Sequence, residues 1–148
     1  MHSLARISVA LLSLALAQPL FAQGQPIKIY GLVELSGTGA TSGTNFNDGV
    51  KLAVKEINAA GGILGRKVEY SASDTQSQPQ VAKALAVKAI DDGAYIVMGP
   101  VFSGSILVSM AETKRAEIPN FTGGEPTPIT QQGNPYIFRT SFTQTTAM

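Results

Sequence analysis

The residues best suited to chemistry fall in three clusters of small side chains. Gly99-Pro100-Val101-Phe102-Ser103-Gly104-Ser105 runs into an apolar helical pattern. Amides and dipole at a helix N-terminus favour an anion such as a carboxylate, and a serine hydroxyl adds a donor without adding charge. Ser103 or Ser105 could equally do no more than cap its own helix. The second cluster is Gly123-Gly124-Glu125-Pro126-Thr127. Its two glycines would let a ligand approach the backbone closely. Glu125 would either pair with a cationic group or stand as a solvated acid. The third cluster, Ser36 to Gly43, spells G-x-G-x-x-x-G, with the last glycine one residue later than in a dinucleotide fingerprint. The acid that should follow about 20 residues on is also misplaced. Glu56 falls inside a predicted helix, and Asp74 is too distant. A ligand-covering loop or a plain connection suits this segment better.

Catalytic sets are hard to assemble. The chain has no Cys, and its one His is His2, so thiolate nucleophiles, disulfides, thiolate metal sites and Ser-His-Asp constellations are excluded. No GxxxxGK[ST] motif is present. Glu34, Asp74 and Glu125 lie near predicted strand ends, where paired carboxylates could exchange protons, but acids also collect there for solubility. Asp74 suits a turn or cap better than a ligand contact. No reaction and no cofactor are predicted. With 11 Lys and Arg against 10 Asp and Glu, the formal charge of +1 argues against clamping a nucleic-acid backbone. A content of 44% hydrophobic and 14% charged residues in 148 suits one folded domain rather than a disordered chain.

These clusters need elements to position them. Ile27 to Val33, Lys67 to Ser73, Tyr95 to Met98, Ile118 to Thr122 and Tyr136 to Ser141 are predicted strands. Helical periodicity runs from Phe46 through Val50, Ala53, Val54 and Ile57 to Gly61. A second helix starts at Pro79 and carries Val81, Ala82, Leu85, Ala86, Ala89 and Ile90 on one face, up to Gly93. A third starts near Ser103 or Ser105 and should turn Ile106, Leu107, Met110 and Ala111 inward. Alternation at this spacing predicts an α/β fold, a three-layer sandwich with a mostly parallel sheet and right-handed crossovers. Ligands of such sheets bind beyond the carboxyl ends of the strands. Those ends are the loops at 34–44, 74–78, 99–105 and 123–130.

Residues 1–22 read as an export signal. Arg6 supplies the positive start, residues 7–17 form an apolar run too short to span a bilayer, and Gln18-Pro19 breaks it. Ala22 is the predicted last residue before cleavage, with Ala15-Leu16-Ala17 as the competing site. Cleavage removes His2, so the mature chain has no imidazole for acid-base or metal chemistry. Export without a second anchor places the protein in the periplasm or outside the cell.

The run Ile57-Asn58-Ala59-Ala60-Gly61-Gly62-Ile63-Leu64-Gly65-Arg66-Lys67-Val68-Glu69 resembles the signature of periplasmic branched-chain amino-acid-binding proteins. Asp74 with Pro79, Gly99-Pro100 before a serine-bearing helix start, and Tyr136-Ile137-Phe138-Arg139-Thr140 continue the likeness in order. The resemblance implies a type I two-lobed fold closing on a ligand, of which residues 23–148 would be the N-terminal lobe, with the second lobe missing. It implies a small ligand, an amino acid or a related compound, delivered to a membrane ABC permease of the branched-chain amino-acid type. It implies that Ser103, with the helix-start amides at Gly104 and Ser105, holds the ligand carboxylate. Gly123, Gly124 and Glu125 would wall the cleft, and Ser42 would lie near the ligand. Glu125 stands where such binders usually carry Thr or Ser, and Ser42 where a large side chain often packs. Both departures point to a ligand with an extra polar or cationic group. One lobe supplies only half of the enclosure, so the isolated chain should bind weakly or not at all. The alternatives are a nucleotide-dependent enzyme on a doubly wound sheet, or an inactive truncated product.

Overall fold

Pro26 leads into β1 (Ile27–Val33), a β-branched segment flanked on both sides by parallel neighbours. Ile27 pairs with Val68 of β2 (Val68–Asp74), and Ile29 pairs with Ile96 of β3 (Ile96–Met98). β4 (Asn120–Thr122) and β5 (Ile137–Arg139) extend the sheet to the order β2-β1-β3-β4-β5, parallel throughout. The computed structural model describes residues 24–143. The predicted export signal lies outside them.

Helices α1 (Ala40–Ala59), α2 (Pro79–Asp91) and α3 (Ser103–Arg115) connect the strands, and a short α4 (Pro128–Gln131) precedes β5. Alternate residues of β1 face opposite sides of the sheet. Leu32 packs with Ala86 and Ala89 of α2, with Ala94 and with Val97, where alanines let the helix approach closely. Gly31 faces the α1 side, where the Tyr70 hydroxyl donates to Asn47 Oδ1 of α1 at 2.8 Å. A second core of Ile106, Met110, Ile129 and Ile137 joins α3, α4 and β5. On the α1 side, α1 covers β1 and β2. Ile96, Met98 and Phe121 of β3 and β4 are only part-buried there, Phe138 of β5 is exposed, and the Phe121 and Phe138 rings stack at 4.9 Å.

Three local expectations need correcting. Helix α1 begins at Ala40, inside the segment predicted as loop. Gly, Ser and Thr there are weak helix formers, but tertiary packing of the first turn against β1 overrides propensity. Helix α3 buries Ile106 and Met110 as predicted, yet Leu107 is 44% exposed and Ala111 is exposed. Its inward face instead carries Ser105, Ser109, Glu112 and Thr113. Ser109 and Thr113 can face inward because their hydroxyls bond back to the carbonyls of Ser105, Ile106 and Met110. The loop read at 123–130 runs into α4 from Pro128.

The Ile57–Glu69 run acts in folding. Asn58 Nδ2 donates to the Val68 carbonyl at 2.8 Å, and its Oδ1 accepts from the Val68 amide at 2.9 Å. This pair docks the start of β2 on the end of α1. Gly62 has φ +85°, and a Cβ there would lie 2.0 Å from the Arg66 carbonyl oxygen, so only glycine fits the turn.

Candidate functional site

In a parallel sheet all the carboxyl ends share one rim, and here side chains tie that rim together. Glu34 directly follows β1 and has 0% exposure. Its carboxylate accepts the amides of Val101 (3.1 Å) and Phe102 (3.2 Å), the two residues before α3. From β4, Asn120 Nδ2 donates to the Gly99 carbonyl at 2.6 Å, and Thr122 Oγ1 donates to the Pro100 carbonyl at 2.6 Å. The loop leading into α3 is therefore held from both sides. Glu34 is a buried structural acid, so neither solubility nor solvent-facing acid-base work describes it.

Asp74 locks the first two loops to each other. Its carboxylate accepts the amides of Leu35 (2.9 Å), Ser36 (3.1 Å) and Gln76 (2.8 Å), and the Ser36 hydroxyl at 2.6 Å. Burial pushes this carboxyl up, but the Ser36 hydroxyl and the amides of Gln76, Leu35 and Ser36 outweigh it and hold the group below its ordinary value. Ser77 Oγ accepts the Gly39 amide and donates to the Ser36 carbonyl. The turn role read for Asp74 matches this arrangement.

Above these loops Ser42, Val101, Phe102, Ser103, Gly123, Glu125 and Pro126 line a cavity of about 220 Å³. Four of the predicted site residues, Ser42, Ser103, Gly123 and Glu125, thus meet in one place although α1, α3 and the loop after β4 carry them. The other three are placed differently. Gly104 is exposed. Ser105 is 1% exposed, with its hydroxyl buried and unpartnered. Gly124 is buried, and a Cβ there would lie 2.2 Å from Ile106 Cδ1. Larger grooves of about 370 and 490 Å³ lie along the sheet strands, at Lys28–Tyr30 with Glu69–Ser71 and beside Phe121 and Phe138. Neither combines a helix N-terminus with the strand ends.

Helix α3 starts without a side-chain cap, its N-cap being Phe102. The expected capping role of Ser103 or Ser105 is therefore not what the structure holds, and half-buried Ser103 faces the cavity instead. Glu125 is exposed, and its carboxylate has no hydrogen bond or ion pair among the described residues. The dinucleotide reading fails at its second glycine. A Cβ on Gly39 would meet the Phe102 ring at 2.9 Å and Glu34 Cβ at 3.0 Å, so the close approach that a pyrophosphate needs is already filled. Among the described residues no His, Asp or Glu cluster could hold a metal.

Residues 26–148 match the family model described as periplasmic binding protein. The chain belongs to that family. It is 32% identical over 136 residues to the leucine-specific-binding protein of Salmonella typhimurium, covering 91% of this chain and 36% of that protein. Among solved structures it is similar to the branched-chain amino acid transporter substrate-binding protein of Streptococcus pneumoniae in complex with isoleucine. That match has a TM-score of 0.77 and 32% identity, covering 80% of this chain and 34% of that one. It is also similar to an ABC-transporter solute-binding protein of Rhodopseudomonas palustris in complex with 3,4-dihydroxybenzoic acid (TM-score 0.73, 26% identity, 80% and 32% covered). The chain thus spans about a third of the length of these relatives, and its sheet is the fold they share.

Sequence reasoning weighed Glu34 only as a strand-end acid and missed its bracing role, along with those of Asn120, Thr122 and Arg139. Their only signal in the sequence is that polar side chains interrupt or end apolar strands.

Proposed function

We propose that this chain forms one lobe of an exported solute-binding protein that hands a small carboxylate ligand to a membrane ABC permease, with no chemical step. The uncapped start of α3, with Ser103 facing a cavity at the strand ends, carries this reading. Glu34 already takes the Val101 and Phe102 amides; the amides that follow at the start of α3, with the dipole, favour an anion, and the Ser103 hydroxyl adds a neutral donor. The ligands of the two similar structures, isoleucine and 3,4-dihydroxybenzoic acid, differ in body but share a carboxylate. The family match supports binding rather than catalysis, and it supports export to the periplasm behind the apolar segment at residues 7–17. Closure of a second lobe would exclude water from the ligand.

Titration calorimetry of the exported protein with L-isoleucine and 3,4-dihydroxybenzoate tests this. Ser103→Ala should weaken whichever ligand binds by about 1 kcal/mol, near fivefold. An unchanged dissociation constant would remove Ser103 and the α3 start from the site.

A further inference from the structure

Folding does not account for Leu64, at the tip of the Ile57–Glu69 run. Leu64 is 96% exposed and adopts φ +51°. With Gly65 (φ +75°) it forms the centre of a two-residue hairpin. The Ile63 amide donates to the Arg66 carbonyl at 2.9 Å, and the Arg66 amide donates back to the Ile63 carbonyl at 3.0 Å. So tight a hairpin needs positive φ at both central residues, where Asn-Gly is the usual pair. Leucine is strained in that conformation, and at this exposure it recovers nothing by burial. Ile63 beside it is 43% exposed. The turn is held rigidly, by Asn58 on Val68 and by Arg66 Nε donating to the Gln25 carbonyl at 2.6 Å. The result is a fixed apolar tip followed directly by the cations Arg66 and Lys67.

The same chain carries an apolar recess. Beyond the cover of α1, Tyr95, Ile96, Ile118, Phe121 and Phe138 line the groove of about 490 Å³. Its one charged lining residue is Glu117, exposed and in no ion pair with a described residue. Tip and groove share a rim, since the tip leads into β2, and Tyr95 and Ile118 lead into β3 and β4, at the amino ends of the strands. That rim is opposite the cavity at Ser42 and Ser103. We propose that a second copy of this chain fills the groove. The Leu64 and Ile63 tip of each copy enters the groove of the other, with Arg66 and Lys67 set against Glu117. A twofold axis relates the two contacts, so every residue enters twice and the assembly closes as a dimer. The ligand cavity stays open in such a dimer, and the proposal does not depend on which ligand it takes.

Sedimentation equilibrium of the whole exported protein, taken up to about 1 mM, tests this and should show a monomer–dimer equilibrium that stops at the dimer. Asparagine suits the positive φ at position 64 better than leucine does, so Leu64→Asn should leave the monomer at least as resistant to urea. The same substitution should weaken the dimer by about 100-fold, about tenfold for each buried leucine lost. Tyr95→Ala, on the groove side, should weaken it by about tenfold or more. Glu117→Lys should weaken it by about tenfold, and adding Lys67→Glu should restore most of that loss. A merely structural effect would not give this reciprocal rescue, and its absence would remove the charge pairing on which the choice of partner rests. A protein that stays monomeric throughout overturns the proposal, whether its groove is open or covered by another segment of the polypeptide. A dimer that Leu64→Asn leaves intact overturns it as well, and so do assemblies that grow past the dimer.

Discussion

Gly43 and Gly49 lie in the same helix, and replacing each by alanine should change stability in opposite directions. Both sit inside α1, where propensity alone makes glycine about 1 kcal/mol worse than alanine. At Gly49 a Cβ would meet nothing within 4 Å, so Gly49→Ala should stabilise by about 0.5–1 kcal/mol. At Gly43 the Cβ would lie 2.1 Å from the Glu34 carbonyl oxygen and 2.8 Å from the Glu34 nitrogen. Ordinary contact starts near 3.4 Å, and the obstructing atoms are backbone that no rotamer change can move aside. Overpacking of this kind costs about 3 kcal/mol, the upper part of its usual range. After the propensity gain, Gly43→Ala should destabilise by about 2 kcal/mol. Equilibrium urea unfolding, compared at equal m-values, reads both variants. Two substitutions that stabilise alike would refute the idea that backbone contact with Glu34, just past β1, fixes the start of α1, and with it the account of how Ser42 reaches the cavity.

Glu34→Gln preserves volume but sets an amide nitrogen against the Val101 or Phe102 amide. Unfolding should show a loss of about 2 kcal/mol, and urea midpoints matching the unsubstituted protein would mean the carboxylate does not hold the loop before α3. Asp74 has a carboxyl held below its unfolded value. Its contribution should be complete above that value and fade as pH falls through the lower folded one. The stability gap to Asp74→Asn should therefore narrow below about pH 4, and a gap constant down to pH 2 would contradict this. Burial pushes the Tyr70 hydroxyl up to about 12, so the stability it contributes should be intact below pH 10 and decline toward pH 12. Tyr70→Phe should remove that part of the alkaline decline, as followed by circular dichroism melts, and an identical alkaline limb would rule the effect out.

The sequence by itself determined the layer order and the family. Alternating strand and helix periods are local properties, and Gly62 and Asn58 work within the turn that joins α1 to β2, so the run that contains them is legible residue by residue. The rim of small residues at the strand ends was legible too, since parallel topology puts every loop that follows a strand on one side. Tertiary structure alone decided which residues of those loops meet. Ser42, Ser103, Gly123 and Glu125 share a cavity, whereas Ser105 and Gly124, each next to one of them or nearly so, point into the core. A helix turns about 100° per residue, so a cluster of candidates in sequence divides between cleft and interior according to packing. The bracing residues were hidden for a related reason. Glu34 holds amides 67 and 68 positions away, and Arg139 holds carbonyls 15 and 13 positions back. No local periodicity records such pairings. They exist because buried or loop backbone groups without ladder partners must be satisfied by whatever polar side chain the fold brings within reach.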